Sequence, residues 1–341
     1  MSPSVGLGTH IFNNNLKSVL LLMGLPFLLV MMIAAFCGGM NIMTQKAVAA
    51  HLPLYWDQVG NAAVAGVVQY GHIAIFAAGI WMIIAYFFHG SMIRKAAGSV
   101  PVTRAEAPEI YNLLENLCIS RGITMPGFDI IDSPALNAFA SGINEKTYRI
   151  TLTRGLVDAL PPDELEAVIA HELTHIQNRD VRLLIISVVF AGMISFFAEM
   201  IFRSLFYGGM MRGGNRNNRG GGALVVLLAF AILMVGYIFA LVIRFALSQK
   251  REYLADAGAV DLTKNPEAMM RALQRISGQD RVSGMTDDVQ QMCIENSHAF
   301  MGIFATHPPL SKRIAAISQM TNTPVPALAP ASPAPQKGPW G

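Results

Sequence analysis

The stretch "AVIAHELTHIQNRDVRLLIISVVF", Ala167 to Phe190, joins two sequence patterns that decide how the chain is organised. Its first half places His171, Glu172 and His175 in the spacing HExxH. Because residues i and i+4 lie on one face of a helix, both imidazoles can reach one metal ion, and the glutamate can address a water on that ion. Its second half continues without a turn signal into apolar residues typical of a membrane span. The stretch therefore predicts a metal site at the mouth of a membrane helix.

The helix that carries the motif is predicted to begin at Asp163, an N-cap candidate that forms a D-x-x-E capping box with Glu166. Pro161 and Pro162 precede it. An ordinary amphipathic helix with polar residues on its wet face explains the pentapeptide equally well. A metal site therefore needs support from further ligands elsewhere in the chain.

The composition is that of an integral membrane protein with a modest polar part. Of the 341 residues, 53% are hydrophobic and 14% are charged, whereas a soluble domain carries about 25% charged residues. With so few charges, the formal net charge of +3 is no nucleic-acid signature, and we expect no nucleic-acid partner. The cysteines Cys37, Cys118 and Cys293 lie far apart, which favours free buried thiols in a reducing compartment.

Four apolar stretches are long enough to cross a bilayer, for which a helix needs about 20 residues. They are residues 19–36, 68–88, 183–202 and 223–243. The first stretch is long for a signal peptide, and the nearest A-x-A cleavage pattern lies well beyond its end. We therefore expect it to stay in the protein as a membrane anchor.

Flanking cations predict the orientation, because the cytoplasmic ends of spans carry an excess of Lys and Arg. Lys17 precedes the first stretch, and Arg94 and Lys95 follow the second, which places the N-terminus and the region after the second stretch in the cytoplasm. Three arginines in the loop 207–222 lie on the wrong side for this rule. The hairpin 183–243 is therefore either an exception to the rule or a pair of helices that does not cross completely.

The polar material falls into two pieces on one side of the membrane, which we expect to fold together as one domain. The predicted order is a membrane region 1–89, a first catalytic half 90–182, the membrane hairpin 183–243, a second catalytic half 244–322 and a disordered Pro/Ala-rich tail 323–341. Periodicity predicts helices over 104–123, 266–276 and 310–318. The sequences "FDIID", "NAFASGI" and "YRITLT" are typical of short strands.

A third metal ligand is expected because hydrolytic zinc sites usually have three protein ligands and an open position. The sequence "REYLADAGA" supplies Glu252, with Asp256 one helical turn further on. Glu252 lies 77 residues after His175, and the predicted membrane hairpin between them would bring Glu252 back close to His175. Asp256 would then accept the second ring N–H of a ligand histidine. The alternative is an exposed ion pair of Glu252 with Arg251 or Lys250, and a solvated Asp256.

Four motifs together resemble the HtpX-type membrane metalloproteases, relatives of the CAAX prenyl-protein endopeptidases. They are "SPALNAFASG", "HELTHIQNRD", "REYLADAGA" and "THPPLSKRI", in the order of the family. The resemblance covers roughly residues 11–318 and implies a mainly α integral membrane protein. Four apolar membrane helices would accompany a cytoplasmic gluzincin-like α+β metalloprotease domain with a small edge-stranded sheet. The implied location is a bacterial inner membrane, with the active site facing the cytoplasm.

The resemblance also implies one zinc ion per chain, bound by His171, His175 and Glu252. Glu172 would be the general base, and Asp256 would support a ligand histidine. A set of two histidines and one glutamate favours zinc over other metals.

For substrate binding, the resemblance implies that "NAFA" is an edge strand to which a polypeptide adds, with Asn137 holding the substrate backbone. His307 and Arg313 would approach the scissile carbonyl. On the residues alone, each of the three would more often be structural: an Asn in a turn, a His beside prolines that caps a helix and an Arg on a solvated face.

The implied function is cleavage of unfolded or damaged membrane proteins in protein quality control, with such polypeptides and the lipid bilayer as partners. The oligomeric state is left open. Specific processing of prenyl-proteins is the second enzyme hypothesis, but it is disfavoured because those relatives usually have more spans. A non-enzymatic scaffold is disfavoured because Glu172 is present. A transporter is disfavoured because the spans lack paired polar residues near their middle.

Overall fold

The computed structural model of the chain describes residues 7–44, 53, 55–186, 249–277, 293 and 308–327. These residues fall into two compact units. One is made mainly of residues 17–44 and 55–87, and the other mainly of residues 88–185, 249–277 and 308–327.

Most of two long helices, α1 (Leu7–Thr44) and α2 (Trp56–Ala97), forms the first unit. Within the described part of the chain, α2 is the one helix long and apolar enough to cross a membrane, and Leu29–Ile42 is a shorter apolar segment. The predicted spans 19–36 and 68–88 lie within α1 and α2. The other two predicted spans lie outside the described residues, except for residues 183–186. The structure therefore confirms one apolar helix and does not confirm four.

The second unit contains a four-stranded sheet with the strand order β1-β2-β4-β3. The strands are β1 (Ser99–Pro101), β2 (Gly127–Ile131), β3 (Ala138–Ser141) and β4 (Arg149–Thr153). β2 and β4 are parallel, whereas the pairs β1–β2 and β3–β4 are antiparallel. The three predicted strands are confirmed, and β3 lies at one edge of the described sheet. The sequence analysis missed β1, which has only three residues and ends in proline.

Helices make up most of the rest of this unit. They are α3 (Pro108–Arg121), α4 (Arg154–Ala159), α5 (Pro162–Gln177), α6 (Gln249–Thr263), α7 (Pro266–Ile276) and α8 (Leu310–Thr321). The structure confirms the three predicted helices as α3, α7 and α8. α3 ends where Gly122 adopts a left-handed backbone conformation, with φ of 62°, which glycine accommodates without strain.

The start of α5 differs from the prediction. Its N-cap is Pro161 and not Asp163, and no side chain caps the first turn. Pro162 occupies the first helical turn, where its missing N–H costs no hydrogen bond. The carboxylate of Asp163 instead lies 2.7 Å from Arg271 Nη2 of α7. The neighbouring Glu164, which is 1% exposed, also pairs with Arg271, so these ion pairs attach α7 to the start of α5.

The centre of this unit is the packing of α5 against α6. Ala255 and Ala259 of α6 are fully buried, and Gly258 lies between them in the sequence. A Cβ atom at Gly258 would lie 2.8 Å from Oγ1 of Thr174 on α5, closer than atoms pack in proteins. Thr174 cannot easily turn away, because its hydroxyl donates a hydrogen bond to the carbonyl of Ala170 at 2.8 Å. The glycine therefore lets the two helices approach closely.

We predict that Gly258→Ala lowers the stability of the protein, because the added methyl group would push α6 away from α5. Overpacking of this kind costs about 1–3 kcal/mol. The measurement is the thermal unfolding midpoint of the detergent-purified chain. Gly79→Ala is the matched control, because a Cβ atom at this helical glycine meets nothing within 4 Å. Equal midpoints for the two variants would contradict the close approach.

Candidate active site

Three side chains from α5 and α6 converge on one point. Nε2 of His171 and Nε2 of His175 are 3.1 Å apart. Oε1 of Glu252 lies 3.4 Å from Nε2 of His175, and Oε2 lies 3.6 Å from Nε2 of His171. The three ligand atoms all lie within 4.8 Å of one another. The structure therefore brings together the three predicted metal ligands despite their separation along the chain.

The spacing of these atoms fits a tetrahedral metal ion. Zinc–ligand bonds of about 2.0–2.2 Å in a tetrahedron place neighbouring ligand atoms about 3.3–3.6 Å apart. The observed separations of 3.1, 3.4 and 3.6 Å lie close to that range. Two imidazole nitrogens and one carboxylate oxygen are also the ligand types of catalytic zinc sites, which keep a fourth position open.

The charge around the three ligands also fits a divalent cation. Four carboxylates and two guanidinium groups at or next to the ligands are each at most 7% exposed. They belong to Glu172, Asp180, Glu252, Asp256, Arg251 and Arg313. With neutral imidazoles, this set carries two more negative than positive charges, and uncompensated buried charge is costly. A divalent cation supplies the missing positive charge.

Asp256, which was predicted to support a ligand histidine, lies beside His171. Its Oδ1 is 3.1 Å from Nδ1 of His171, an ion-pair distance, while Nε2 of the same imidazole faces the other ligands. Arg313, which is fully buried, donates two hydrogen bonds to the same carboxylate, at 2.9 and 2.6 Å. Nη1 of Arg313 is also 3.6 Å from Oε2 of Glu252. The guanidinium thus fixes the carboxylate that orients His171.

The sequence analysis missed the corresponding partner of His175. Nδ1 of His175 lies 3.0 Å from Oδ2 of Asp180, a buried carboxylate five residues further along the chain. The rule that a ligand histidine donates its other ring N–H to a carboxylate calls for such a partner, but the i, i+5 spacing in a continuous helix does not identify Asp180. Each predicted ligand histidine therefore has its own aspartate.

The neighbouring carboxylates raise the pKa values of both histidines. Burial lowers the pKa of His175, but the charge of Glu252 and the hydrogen bonds with Asp180 and Glu252 outweigh burial and raise that pKa to about 10. Burial also lowers the pKa of His171, and hydrogen bonds with Asp256 and Glu252 again outweigh it and raise the pKa above its ordinary value. A protonated imidazole must lose a proton to become a metal ligand, so this shift opposes metal binding by His175 near neutral pH.

The remaining predicted site residues are Glu172, Asn137, Arg313 and His307. Glu172 follows His171 on α5 and is 2% exposed. Asn137 directly precedes β3 and is 1% exposed; its side-chain oxygen accepts a hydrogen bond from the backbone N–H of Ala138 at 2.9 Å. The guanidinium of Arg313 pairs with the carboxylate of Asp256. His307 lies outside the described residues.

Comparison with known proteins identifies the family of the chain. Residues 104–321 match peptidase family M48. A protease HtpX homolog of Bacteroides fragilis is 43% identical over 326 residues, which cover 92% of this chain and 99% of that protein. A protease HtpX homolog of Listeria monocytogenes is 33% identical over 319 residues, covering 90% and 97% of the two chains. The crystal structure of S. mikatae Ste24p matches 74% of this chain and 60% of its own at 21% identity with a TM-score of 0.46, too low to inform on the site.

An HExxH helix joined by a glutamate from a second helix defines a metalloprotease. The chain belongs to peptidase family M48, and its predicted resemblance to the HtpX-type membrane metalloproteases is confirmed. Membership of this family implies a bound metal, and the cluster of His171, His175 and Glu252 fits one.

We predict that metal binding at pH 7.5 releases at least one proton per ion. The pKa of about 10 keeps His175 protonated at this pH, whereas a histidine with an ordinary pKa would be about nine-tenths neutral. The apparent metal affinity should therefore rise as the pH increases. Calorimetric titration with zinc in buffers of different ionisation enthalpy measures the released protons. A binding enthalpy that does not depend on the buffer would contradict the raised pKa values.

Proposed function

We propose that the chain is a zinc-dependent endopeptidase that cleaves unfolded or damaged membrane proteins at the cytoplasmic face of a bacterial inner membrane. One zinc ion per chain would be bound by His171, His175 and Glu252. The convergence of these three side chains beside the buried Glu172 is the observation that carries the proposal.

The chemistry combines a metal with a carboxylate from the same helix. Bound zinc polarises a carbonyl and lowers the pKa of a water toward about 7. Glu172, the buried residue next to His171 on α5, would accept a proton from the attacking water and return it to the leaving amine. His307 and Arg313 belong to the same proposal as groups that stabilise the charge developing on the carbonyl oxygen.

The edge strand β3 supports a polypeptide substrate. β3 pairs with β4 on one side, and its other side is an edge of the described sheet. A substrate strand that adds to such an edge is held by main-chain hydrogen bonds, which depend little on sequence. Asn137, at the start of β3, is the candidate for a further contact with substrate backbone. Binding of this kind suits an enzyme that acts on many unfolded proteins.

We predict that Glu172→Gln abolishes cleavage and preserves zinc binding. The amide cannot accept a proton but has nearly the same shape, so we expect activity to fall about 10²–10⁴-fold. Metal analysis of the detergent-purified chain should still find one zinc ion, and cleavage of an added unfolded membrane protein is followed by gel. Glu109→Gln, at an exposed position on α3, is the matched control and should keep full activity. Cleavage by Glu172→Gln at the rate of this control would exclude the proposed mechanism.

We also predict that the catalytic unit faces the cytoplasm. A cysteine introduced at the exposed Glu109, in a chain whose native cysteines are replaced, reports the side directly. A membrane-impermeant maleimide should label this cysteine in inverted inner-membrane vesicles and not in intact spheroplasts. The reverse labelling pattern would contradict the proposed orientation.

A further inference from the structure

The junction after α5 contains an unusual backbone feature. α5 ends at Gln177, and Arg179 then adopts a left-handed conformation with φ of 60°. Helical structure resumes at once over residues 180–186. A left-handed conformation is uncommon for a residue other than glycine, so surrounding contacts must stabilise it.

This turn decides where Asp180 points. In an uninterrupted α-helix, a residue five positions after His175 lies about 140° away around the helix axis. Its side chain could not return to the imidazole. The left-handed residue Arg179 redirects the chain, and the Asp180 carboxylate comes to lie 3.0 Å from Nδ1 of His175.

The backbone of Asp180 is tied to the helix that carries the third ligand. Nη1 of Arg251 lies 3.4 Å from the carbonyl oxygen of Asp180 and donates a hydrogen bond to it. Arg251 is 7% exposed and directly precedes Glu252 in the first turn of α6. Asp180 thus contacts the ligand histidine His175 through its side chain. Through its backbone carbonyl it contacts Arg251, the residue before the ligand Glu252.

We propose that Asp180 is a positioning residue for metal binding, held in place by Arg251. Its carboxylate accepts the Nδ1–H of His175 and thereby presents Nε2, without its proton, to the metal. Arg251 fixes the carbonyl of Asp180 relative to α6, so that His175 and Glu252 keep their separation. This inference rests on the proposed metal site and gives a role there to Asp180 and Arg251, to which the sequence analysis assigned no part in metal binding.

The test compares metal binding by Asp180→Asn with that of the unaltered full-length chain in detergent. The amide has the shape of the carboxylate but not its charge, and we expect zinc affinity, measured by competition with a chelator, to fall about 10–100-fold. The visible absorption of the cobalt-substituted protein should also change, because the position of His175 affects the geometry at the metal. Asp132→Asn, at a side chain that is 88% exposed, is the control and should match the unaltered chain.

A purely structural role for Asp180 predicts a different result. The Asn variant would then fold less well, whereas its folded fraction would keep unaltered zinc affinity and an unaltered cobalt spectrum. That outcome, or full metal binding by a fully folded variant, would overturn the inference. Failure of the proposed function is distinguishable, because the unaltered chain would then bind no zinc at the site and His175→Ala would make no difference.

A double-mutant cycle tests the part played by Arg251. Arg251→Gln alone should weaken zinc binding, and its effect should be much smaller when Asp180 is already asparagine, because the two residues act on the same histidine. Additive effects of the two substitutions would show that Arg251 acts independently of Asp180 and would overturn its assigned role.

Discussion

The whole site depends on the close approach of α5 and α6, because its metal ligands come from two helices that are distant in sequence. Gly258 permits this approach, since any side chain there would run into Thr174. At this distance the glutamate in the first turn of α6 lies within 3.6 Å of both histidines of α5. Zinc requires its donor atoms about 2.0–2.2 Å from the ion, so the site depends on this separation of the two helices.

Close packing also concentrates charge in a buried volume, and the protein balances it in two ways. Arg313 compensates Asp256 and approaches Glu252, while Arg251 lies against the backbone of Asp180. Without a metal, the pKa of about 10 keeps His175 protonated near neutral pH, which adds positive charge to this volume. A divalent ion that binds there would displace this proton, so protonation and metal binding compete for the same carboxylate-lined site.

The features that could be predicted from sequence are those that depend on neighbours along the chain. The i, i+4 spacing of His171 and His175 needs only an α-helix, and alternation within five residues is enough to indicate β2 and β4. Glu252 was predicted from the number of ligands that zinc requires, together with a membrane hairpin that lies almost wholly outside the described residues. The bidentate pairing of Arg313 with Asp256 could not be predicted in this way. It depends on the packing of α8 against α6, which no local pattern specifies.

The junction between α5 and the next helix is a second feature that local sequence patterns do not predict. The sequence "HIQNRDVRLL" has no proline or glycine, so its local pattern favours one helix running from the metal motif toward the predicted membrane segment. The structure instead interrupts the helix at Arg179, a residue with no intrinsic preference for the left-handed conformation. Tertiary contacts compensate for the conformational cost at Arg179. The interruption turns the Asp180 side chain toward His175 and brings the Asp180 carbonyl to Arg251. The helix is interrupted at this point, and the interruption places the second supporting carboxylate of the metal site, that of Asp180, beside its histidine.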